Sequence, residues 1–179
     1  MRRLILKPAP TMNPTIPCIT PSTLRHGQSF ESFVVSPPNA LAVADAYAVA
    51  GAPGMGFNPL FIYGDHDAGK THLLRAIYRQ AVEIRPNTKI FLVECRTPPT
   101  DLRCLHDADI LLLDDADLLS RAECKEILVI IQAMLKSRKQ VVLSSVGLPT
   151  KLLVLDANGF LLKRAVISPL ISSRPANIH

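Results

Sequence analysis

A single loop, residues 64–71, constrains this chain more than any other part of its sequence. The loop reads GDHDAGKT and matches the pattern GxxxxGK[ST]. The apolar run Leu60–Tyr63 precedes it and an amphipathic stretch from Lys70 to Val82 follows, so the pattern stands between a predicted strand and a predicted helix. In such a loop the backbone amides turn inward around a phosphate, and the N-terminus of the helix adds positive potential. The sequence therefore predicts a P-loop within an α/β domain.

The side chains of the loop predict a bound nucleotide, ATP or ADP, together with Mg²⁺. Lys70 would reach the β- and γ-phosphates, and the Thr71 hydroxyl would ligate Mg²⁺. Asp65 and Asp67 carry negative charge where P-loops usually have glycine, which leaves open that the loop keeps its shape but binds nucleotide weakly. Aspartate nevertheless tolerates a left-handed backbone better than most residues do. The nucleotide contacts predicted from the loop are Gly64, Asp67, Ala68, Gly69, Lys70, Thr71 and His72.

A second acidic motif, Asp114-Asp115, directly follows the apolar run Ile110–Leu113. A carboxylate at the carboxyl end of a strand beside the P-loop can hold Mg²⁺ directly or through water, and Asp114 suits that role. Asp115 would orient or deprotonate the attacking water. One further strand is predicted between the two motifs along the chain. This arrangement favours the branch of P-loop folds in which another strand separates them in the sheet, with the strand order 5-1-4-3-2.

Apolar runs alternate with helical patterns along most of the chain. Such an alternation is typical of a three-layer α/β fold, in which a five-stranded parallel sheet is covered by helices on both faces. The fifth run contains Pro169, which disfavours a strand there unless the strand lies at an edge of the sheet. The predicted helices are 39–50, 70–82 and 124–136, and the predicted strands are 60–63, 90–93, 110–113, 141–143 and 166–171.

Composition and charge narrow the class of protein. The chain has 179 residues, of which 48% are hydrophobic, enough for one domain with a buried core. No apolar run approaches the ~18 residues that span a membrane, and the four cysteines form no CxxC pair, so we expect a cytoplasmic protein. The net charge is +5, and four of these charges lie within residues 1–28, at Arg2, Arg3, Lys7 and Arg25. We therefore predict a proline-rich basic tail over 1–28, with a solvated tail favoured over a DNA-binding arm, ahead of one domain over 29–179.

Several segments resemble the AAA+ ATPase core of the DnaA replication-initiator family. Residues 58–64 (NPLFIYG) and 69–74 (GKTHLL) are similar to the Walker A segment of that family almost letter for letter. Residues 111–115 (LLLDD) and 141–145 (VVLSS) resemble its Walker B and sensor 1 strands. Upstream, residues 30–35 (FESFVV), with Asn39, resemble the segment that lines the family's adenine pocket. The likeness runs from about residue 28 to residue 172.

This resemblance implies an AAA+ fold, binding of ATP and Mg²⁺, and a role in starting or regulating chromosome replication. It adds Val34, Val35 and Asn39 to the expected nucleotide contacts. It also places Arg164 where the family carries its arginine finger, which acts on nucleotide held by a neighbouring subunit. The alternative for Arg164 is an ordinary surface arginine. The implied protein partner is DnaA itself or another AAA+ subunit of the replication machinery.

The sequence also departs from the family pattern. Val146 stands where sensor 1 normally continues with an acidic residue. Only fifteen residues separate Glu94 from Ile110, where the initiator carries a helical insertion used on single-stranded DNA. The sequence ends at His179, before the family's helical lid and helix-turn-helix domain. We therefore expect a domain without a lid, and direct DNA binding by this chain is doubtful.

Three functions are compatible with these patterns. The first is a DnaA-like or Hda-like ATP-binding protein that takes part in the initiation of replication or its regulation, with any hydrolysis weak or dependent on a partner. The second is a degenerate, non-hydrolysing AAA+ docking module that binds a replication partner. The third is a helicase-loader-like ATPase, for which residues 1–28 offer no recognisable helicase-binding segment.

Overall fold

The computed structural model of the protein describes residues 27–172, so the predicted tail over 1–28 lies outside the described residues except for its last two. Short 3-10 turns follow the second and third strands, at Leu102–Asp107 and Ala116–Leu118. The helices and strands are, in chain order, α1 (Ala40–Gly51), β1 (Leu60–Tyr63), α2 (Lys70–Ile84), β2 (Ile90–Glu94), β3 (Ile110–Asp114), α3 (Arg121–Lys136), β4 (Gln140–Ser145), α4 (Thr150–Leu155) and β5 (Val166–Pro169).

The five strands form one parallel sheet in the order β2-β3-β4-β1-β5, which confirms the predicted fold class and strand order. β4 lies between β1 and β3 and therefore separates the two motifs in space. β5 lies at an edge of the sheet, where a strand can accept a proline, and Pro169 is its last residue. The fifth strand is shorter than predicted because it ends at this proline.

The hydrophobic core consists of two clusters, one on each face of the sheet. On β3, Leu111 and Leu113 point to the cluster that contains α3, whereas Ile110 and Leu112 point to the cluster that contains α1 and α2. All five residues of β3 are buried. A strand covered on both faces reads as a continuous apolar run rather than an alternating one, and this explains why the strands were readily recognised in the sequence.

Local signals in the sequence fix where the helices begin. α1 begins at Ala40, one residue after the predicted start at Asn39, whose side chain makes no capping bond to the helix. α3 begins at Arg121, three residues before the predicted start, because Ser120 and Glu123 form a reciprocal capping box. The sequence patterns do not predict α4 or the two 3-10 turns, because all three are too short to show a helical periodicity.

The Asn58 side chain ties the start of β1 to the start of β4. Its amide nitrogen donates to the carbonyl oxygen of Lys139 at 2.8 Å, and its amide oxygen accepts from the backbone nitrogen of Val141 at 2.9 Å. In the resulting register Leu60 lies opposite Val142 and Tyr63 opposite Ser145. The carboxyl ends of the two strands therefore finish level with each other.

No helix among residues 27–172 is long and apolar enough to cross a membrane.

Gly64, the first residue of the predicted P-loop, lies where no side chain fits. A Cβ atom at this position would be 2.1 Å from the carbonyl oxygen of Leu170, far inside van der Waals contact. Leu170 is itself held there, because its backbone nitrogen donates to the carbonyl oxygen of Tyr63 at 2.7 Å. The end of β5 therefore fixes the start of the loop.

We expect Gly64→Ala to lower the free energy of unfolding by about 1–3 kcal/mol, because the new methyl group must displace backbone rather than a flexible side chain. Gly147→Ala is the matched control, since a Cβ atom at Gly147 has open space around it, and it should change stability by less than about 0.5 kcal/mol. Urea unfolding of the wild type and both variants measures the difference. Equal stability of the two variants would contradict the close approach at Gly64.

Candidate functional site

The P-loop, Asp114 and the two serines of β4 gather at the carboxyl ends of the strands. Because the strands are parallel, their carboxyl ends lie on the same side, and the P-loop follows β1 there. Asp114 ends β3, and Ser144 and Ser145 end β4. The edge thus brings together three segments that are far apart in the chain.

The P-loop adopts a curved backbone with two left-handed residues. Gly69, which immediately precedes α2, has a φ of 99°, and a Cβ atom there would lie 3.0 Å from a ring carbon of Phe33. Asp67 has a φ of 60°, the conformation that aspartate tolerates better than most residues. This conformation agrees with the expectation that aspartate can replace glycine at this position of the loop. The Asp67 side chain is exposed, so its charge is solvated rather than buried beneath the loop.

Lys70 lies inside the curve of the loop. Its side chain is 6% exposed, and its ammonium donates to the carbonyl oxygens of Gly64 and Asp65, each at 2.8 Å. The positive charge is therefore held at the centre of the loop by the loop's own carbonyl groups. A phosphate entering the loop would meet this ammonium directly.

A short chain of hydrogen bonds links α2, β3 and β4 beside the loop. The Thr71 hydroxyl donates to Oδ2 of Asp114 at 2.7 Å, and the Ser144 hydroxyl donates to Oδ1 of the same carboxylate at 2.5 Å. Ser144 Oγ in turn accepts from the backbone nitrogen of Asp115 at 3.0 Å. Both oxygens of Asp114 are thus engaged by hydroxyl groups, and the carboxylate is aimed at Thr71.

Burial raises the pKa of the Asp114 carboxyl group, and the hydrogen bonds from Ser144 and Thr71 act in the opposite direction. The nearby Asp115 also raises this pKa, although less than burial does. A buried carboxylate beside another carboxylate is a costly arrangement in the absence of a cation. The site therefore has the electrostatic character of a place that a cation would stabilise.

A cavity of about 360 Å³ opens above the loop, and we refer to it as the phosphate cavity. It is lined by Gln28, which precedes α1, and by residues of the P-loop, the start of α2 and the segments that follow β2 and β3, namely His66, Asp67, Gly69, Lys70, Thr71, His72, Arg96 and Asp115. Of the predicted loop contacts, Gly64 and Ala68 do not line it. His72 lies at its rim, where Nε2 contacts the carbonyl oxygen of Ser29 at 3.0 Å.

The residues expected at an adenine pocket lie apart from the phosphate cavity. Val34 and Val35 are 70% and 55% exposed and do not line it. Asn39 is buried and holds their segment in place: its side-chain nitrogen donates to the carbonyl oxygen of Val34, and its side-chain oxygen accepts from the backbone nitrogen of Ser36. A nucleotide contact by these three residues stays a prediction.

Arg164 lies at the amino ends of the strands, whereas the P-loop lies at their carboxyl ends. It precedes β5, whose first residue Val166 pairs with Leu60 at the start of β1, whereas the loop follows the end of β1. The side chain is exposed and its guanidinium lies 4.8 Å from the centre of the Phe160 ring. Arg164 therefore does not reach the phosphate cavity of its own chain, and an action on a neighbouring subunit stays a prediction.

Comparison with known proteins agrees with the geometry of the site. The family model described as the bacterial DnaA ATPase domain matches residues 24–98. The chromosomal replication initiator protein DnaA of Deinococcus radiodurans is 39% identical over 154 residues, which cover 78% of this chain and 33% of that protein. Domain III of DnaA from Thermotoga maritima superposes with a TM-score of 0.69 at 30% identity, over 82% of this chain and 68% of that one.

The chain belongs to the DnaA family. It is also similar to the AMPPCP-bound DnaA of Aquifex aeolicus, with a TM-score of 0.70 and 25% identity over 82% of this chain and 51% of that one. The chain spans about a third of the length of the curated DnaA relative from Deinococcus radiodurans. The shared part is the AAA+ nucleotide-binding domain, and the predicted fold type and family are both confirmed.

Two residues at the DnaA-like site were not among those predicted from the sequence. Ser144 was noted only as part of a sensor 1 resemblance, yet it donates the shorter of the two hydroxyl contacts to Asp114. Arg96, which follows β2, forms an ion pair with Asp115, with 3.2 Å between Nε and Oδ2. Ser144 lies at the carboxyl end of β4 and Arg96 shortly after the carboxyl end of β2, and this position is the signal that could have identified them.

The raised pKa of Asp114 predicts how stability changes with pH in metal-free protein. Because the pKa is higher in the folded than in the unfolded state, the folded protein binds more protons between the two values, and its stability falls as pH rises through that window. Asp114→Asn removes this titration. The unfolding free energy of the wild type relative to this variant should therefore fall as pH rises from below 3.8 through the raised pKa of the folded protein, as measured by urea unfolding in EDTA. A difference that stays constant with pH would contradict the burial of a titrating carboxylate.

Proposed function

We propose that this chain binds ATP or ADP with Mg²⁺ and acts as a DnaA-like nucleotide-dependent component in the initiation of chromosomal replication or its regulation. The observation that carries the proposal is the 2.7 Å contact between Thr71 and Asp114 beside the curved P-loop. These two side chains come from different segments, and they meet where the phosphates of a nucleotide in the loop would lie. A P-loop that served only as a structural turn would have no need of this pairing.

Nucleotide binding is supported by the position of the positive charge. Lys70 is fixed at the centre of the loop and is also the first residue of α2. The loop's amides, the ammonium and the helix N-terminus together favour a polyphosphate anion at this point. Release of the two carbonyl contacts of Lys70 would free its ammonium for the β- and γ-phosphates.

The residues present also fit a magnesium ion. Mg²⁺ in nucleotide sites is held by one or two side-chain oxygens together with phosphate oxygens and water, and Thr71 and Asp114 supply such a pair. When bound, the ion would neutralise charge on the β- and γ-phosphates. Ser144 would keep the Asp114 carboxylate oriented, since it already donates to the oxygen that does not face Thr71. The buried carboxylate would gain a compensating charge.

Hydrolysis is proposed to depend on Asp115 and on a second subunit. Asp115 is next to the metal ligand and lines the phosphate cavity, so its carboxylate could orient the attacking water. In the structure this carboxylate is held by Arg96, and the predicted finger Arg164 lies at the far edge of the sheet. Turnover therefore requires both the release of Asp115 and an arginine from elsewhere. The proposed partner is DnaA or another AAA+ subunit that supplies or receives such an arginine.

Lys70→Ala tests the nucleotide proposal directly. We expect wild-type protein to bind a fluorescent ATP analogue saturably in the presence of Mg²⁺, and the variant to bind at least about tenfold more weakly because a charge-assisted contact is lost. Lys125→Ala, which removes an exposed lysine of α3, is the matched control and should bind like the wild type. Absence of binding by the wild type at millimolar ATP would favour a docking module without nucleotide.

The position of Arg164 predicts an action between subunits. Arg164→Ala should leave ATP affinity within about twofold of wild type, because the side chain does not reach its own phosphate cavity. If copies of the chain pair with one another, mixing Arg164→Ala with Lys70→Ala should give more ATP hydrolysis than either variant alone, since one contributes an intact nucleotide site and the other an intact arginine. A mixture no more active than its components would contradict this action between copies.

A further inference from the structure

Arg96 is a cationic residue of the phosphate cavity that the proposed function leaves without a role. It lies two residues beyond the end of β2, at the same sheet edge as the P-loop and Asp114. Its side chain is 66% exposed, and its Nε donates to Oδ2 of Asp115 at 3.2 Å. Arg96 lines the phosphate cavity and also an adjoining space of about 190 Å³ bounded by Thr71, Glu94, Cys95, Asp114 and Asp115.

The position of Arg96 corresponds to the terminal-phosphate end of a bound nucleotide. In a P-loop the lysine reaches the β- and γ-phosphates, and an ion held by Thr71 and Asp114 would neutralise charge on the same two groups. Thr71 and Asp114 would hold the metal ion, and Asp115, one residue further on, would then lie on the side from which water attacks the γ-phosphate. Arg96 contacts Asp115 directly. Its guanidinium therefore lies on the γ side of the metal position rather than beside the adenine or the ribose.

The balance of charge in the phosphate cavity favours a change of partner for Arg96 when a triphosphate arrives. Two basic side chains, Lys70 and Arg96, line the cavity together with two carboxylates, Asp67 and Asp115. Arg96 is engaged through Nε, and no hydrogen bond of its two Nη groups is found among residues 27–172. Guanidinium groups bind phosphate oxygens in a planar, two-pronged geometry. A γ-phosphate, which carries more charge than one carboxylate, would compete effectively for this side chain.

We propose that Arg96 selects nucleoside triphosphate over diphosphate in this site. With triphosphate bound, the guanidinium leaves Asp115 and contacts oxygens of the γ-phosphate in the same chain. With diphosphate bound, no phosphate reaches Arg96, and its pairing with Asp115 is retained. The inference rests on the proposed function, because it assumes that the P-loop binds nucleotide.

This exchange would also couple phosphate recognition to the state of Asp115. The carboxylate is 22% exposed and is paired with Arg96 in the structure. Transfer of Arg96 to the γ-phosphate frees Asp115 to orient a water molecule only when there is a γ-phosphate to attack. The ion pair is thus a resting arrangement that triphosphate replaces.

The ratio of ATP affinity to ADP affinity tests the inference. Isothermal titration of wild-type protein, Arg96→Ala and Arg96→Lys with ATP and with ADP, each with Mg²⁺, gives this ratio for each protein. We expect Arg96→Ala to lower the ratio about fivefold through weaker ATP binding alone, a charge-assisted contact discounted for solvent exposure. Arg96→Lys, which keeps the charge but not the planar fork, should show a smaller loss. Arg103→Ala removes an arginine outside the phosphate cavity and should leave the ratio unchanged.

The outcomes separate this inference from the proposed function. Wild-type protein that binds neither nucleotide would overturn both. Wild-type protein that binds both nucleotides, with an unchanged ratio in Arg96→Ala, would overturn the role of Arg96 alone and leave it as a surface ion pair. Equal losses for ATP and ADP would also overturn it, because they would indicate general attraction rather than recognition of the γ-phosphate. Thermal unfolding of each variant would show that the exposed substitutions leave the fold intact.

Discussion

The hydrogen bond between Thr71 and Asp114 is the contact on which the organisation of the site depends. It joins the first turn of α2 to the end of β3, although β3 does not pair with β1, the strand that leads into the loop. The contact forms because β4 lies between these two strands, with Asn58 setting the register of β4 against β1. Ser144, at the end of the same β4, then holds the other oxygen of the carboxylate. Strand order, register and side-chain chemistry thus converge on one carboxyl group.

The electrostatics of this group explain why the site is suited to a charged ligand. Burial works against ionisation of Asp114, and two hydroxyl donors offset only part of that effect. Nearby, the ammonium of Lys70 is satisfied by carbonyl oxygens and the carboxylate of Asp115 by Arg96. The charges of Lys70, Asp114 and Asp115 are therefore held by contacts within the chain. A magnesium–nucleotide complex would offer stronger partners to all of them at once.

Much of the fold could be predicted from the sequence because the strands are buried on both faces and the helices are amphipathic. The strand order followed from one strand lying between the P-loop and Asp114 along the chain, and Pro169 was correctly limited to an edge. The short α4 carried no periodic signal, and the early start of α3 depended on the capping residue Ser120. At the site, the loop residues and Asp114 were recognised by their spacing. Arg96 was not, because it lies two residues beyond the end of β2 and meets Asp115 only through the pairing of β2 with β3.

The edge strand β5 has a consequence for how copies of this domain can associate. The backbone nitrogens of Val166 and Leu170 donate to the chain of β1 and its flank. Because successive backbone nitrogens of a strand point to opposite sides, those of Ile167 and Pro169 point away from β1. Proline has no amide hydrogen, which leaves Ile167 as the one residue of β5 able to donate to an added strand. A short edge strand with a single outward donor is a poor template for the pairing of another strand. The outer side of β5 therefore favours packing through side chains over backbone pairing with a neighbouring domain.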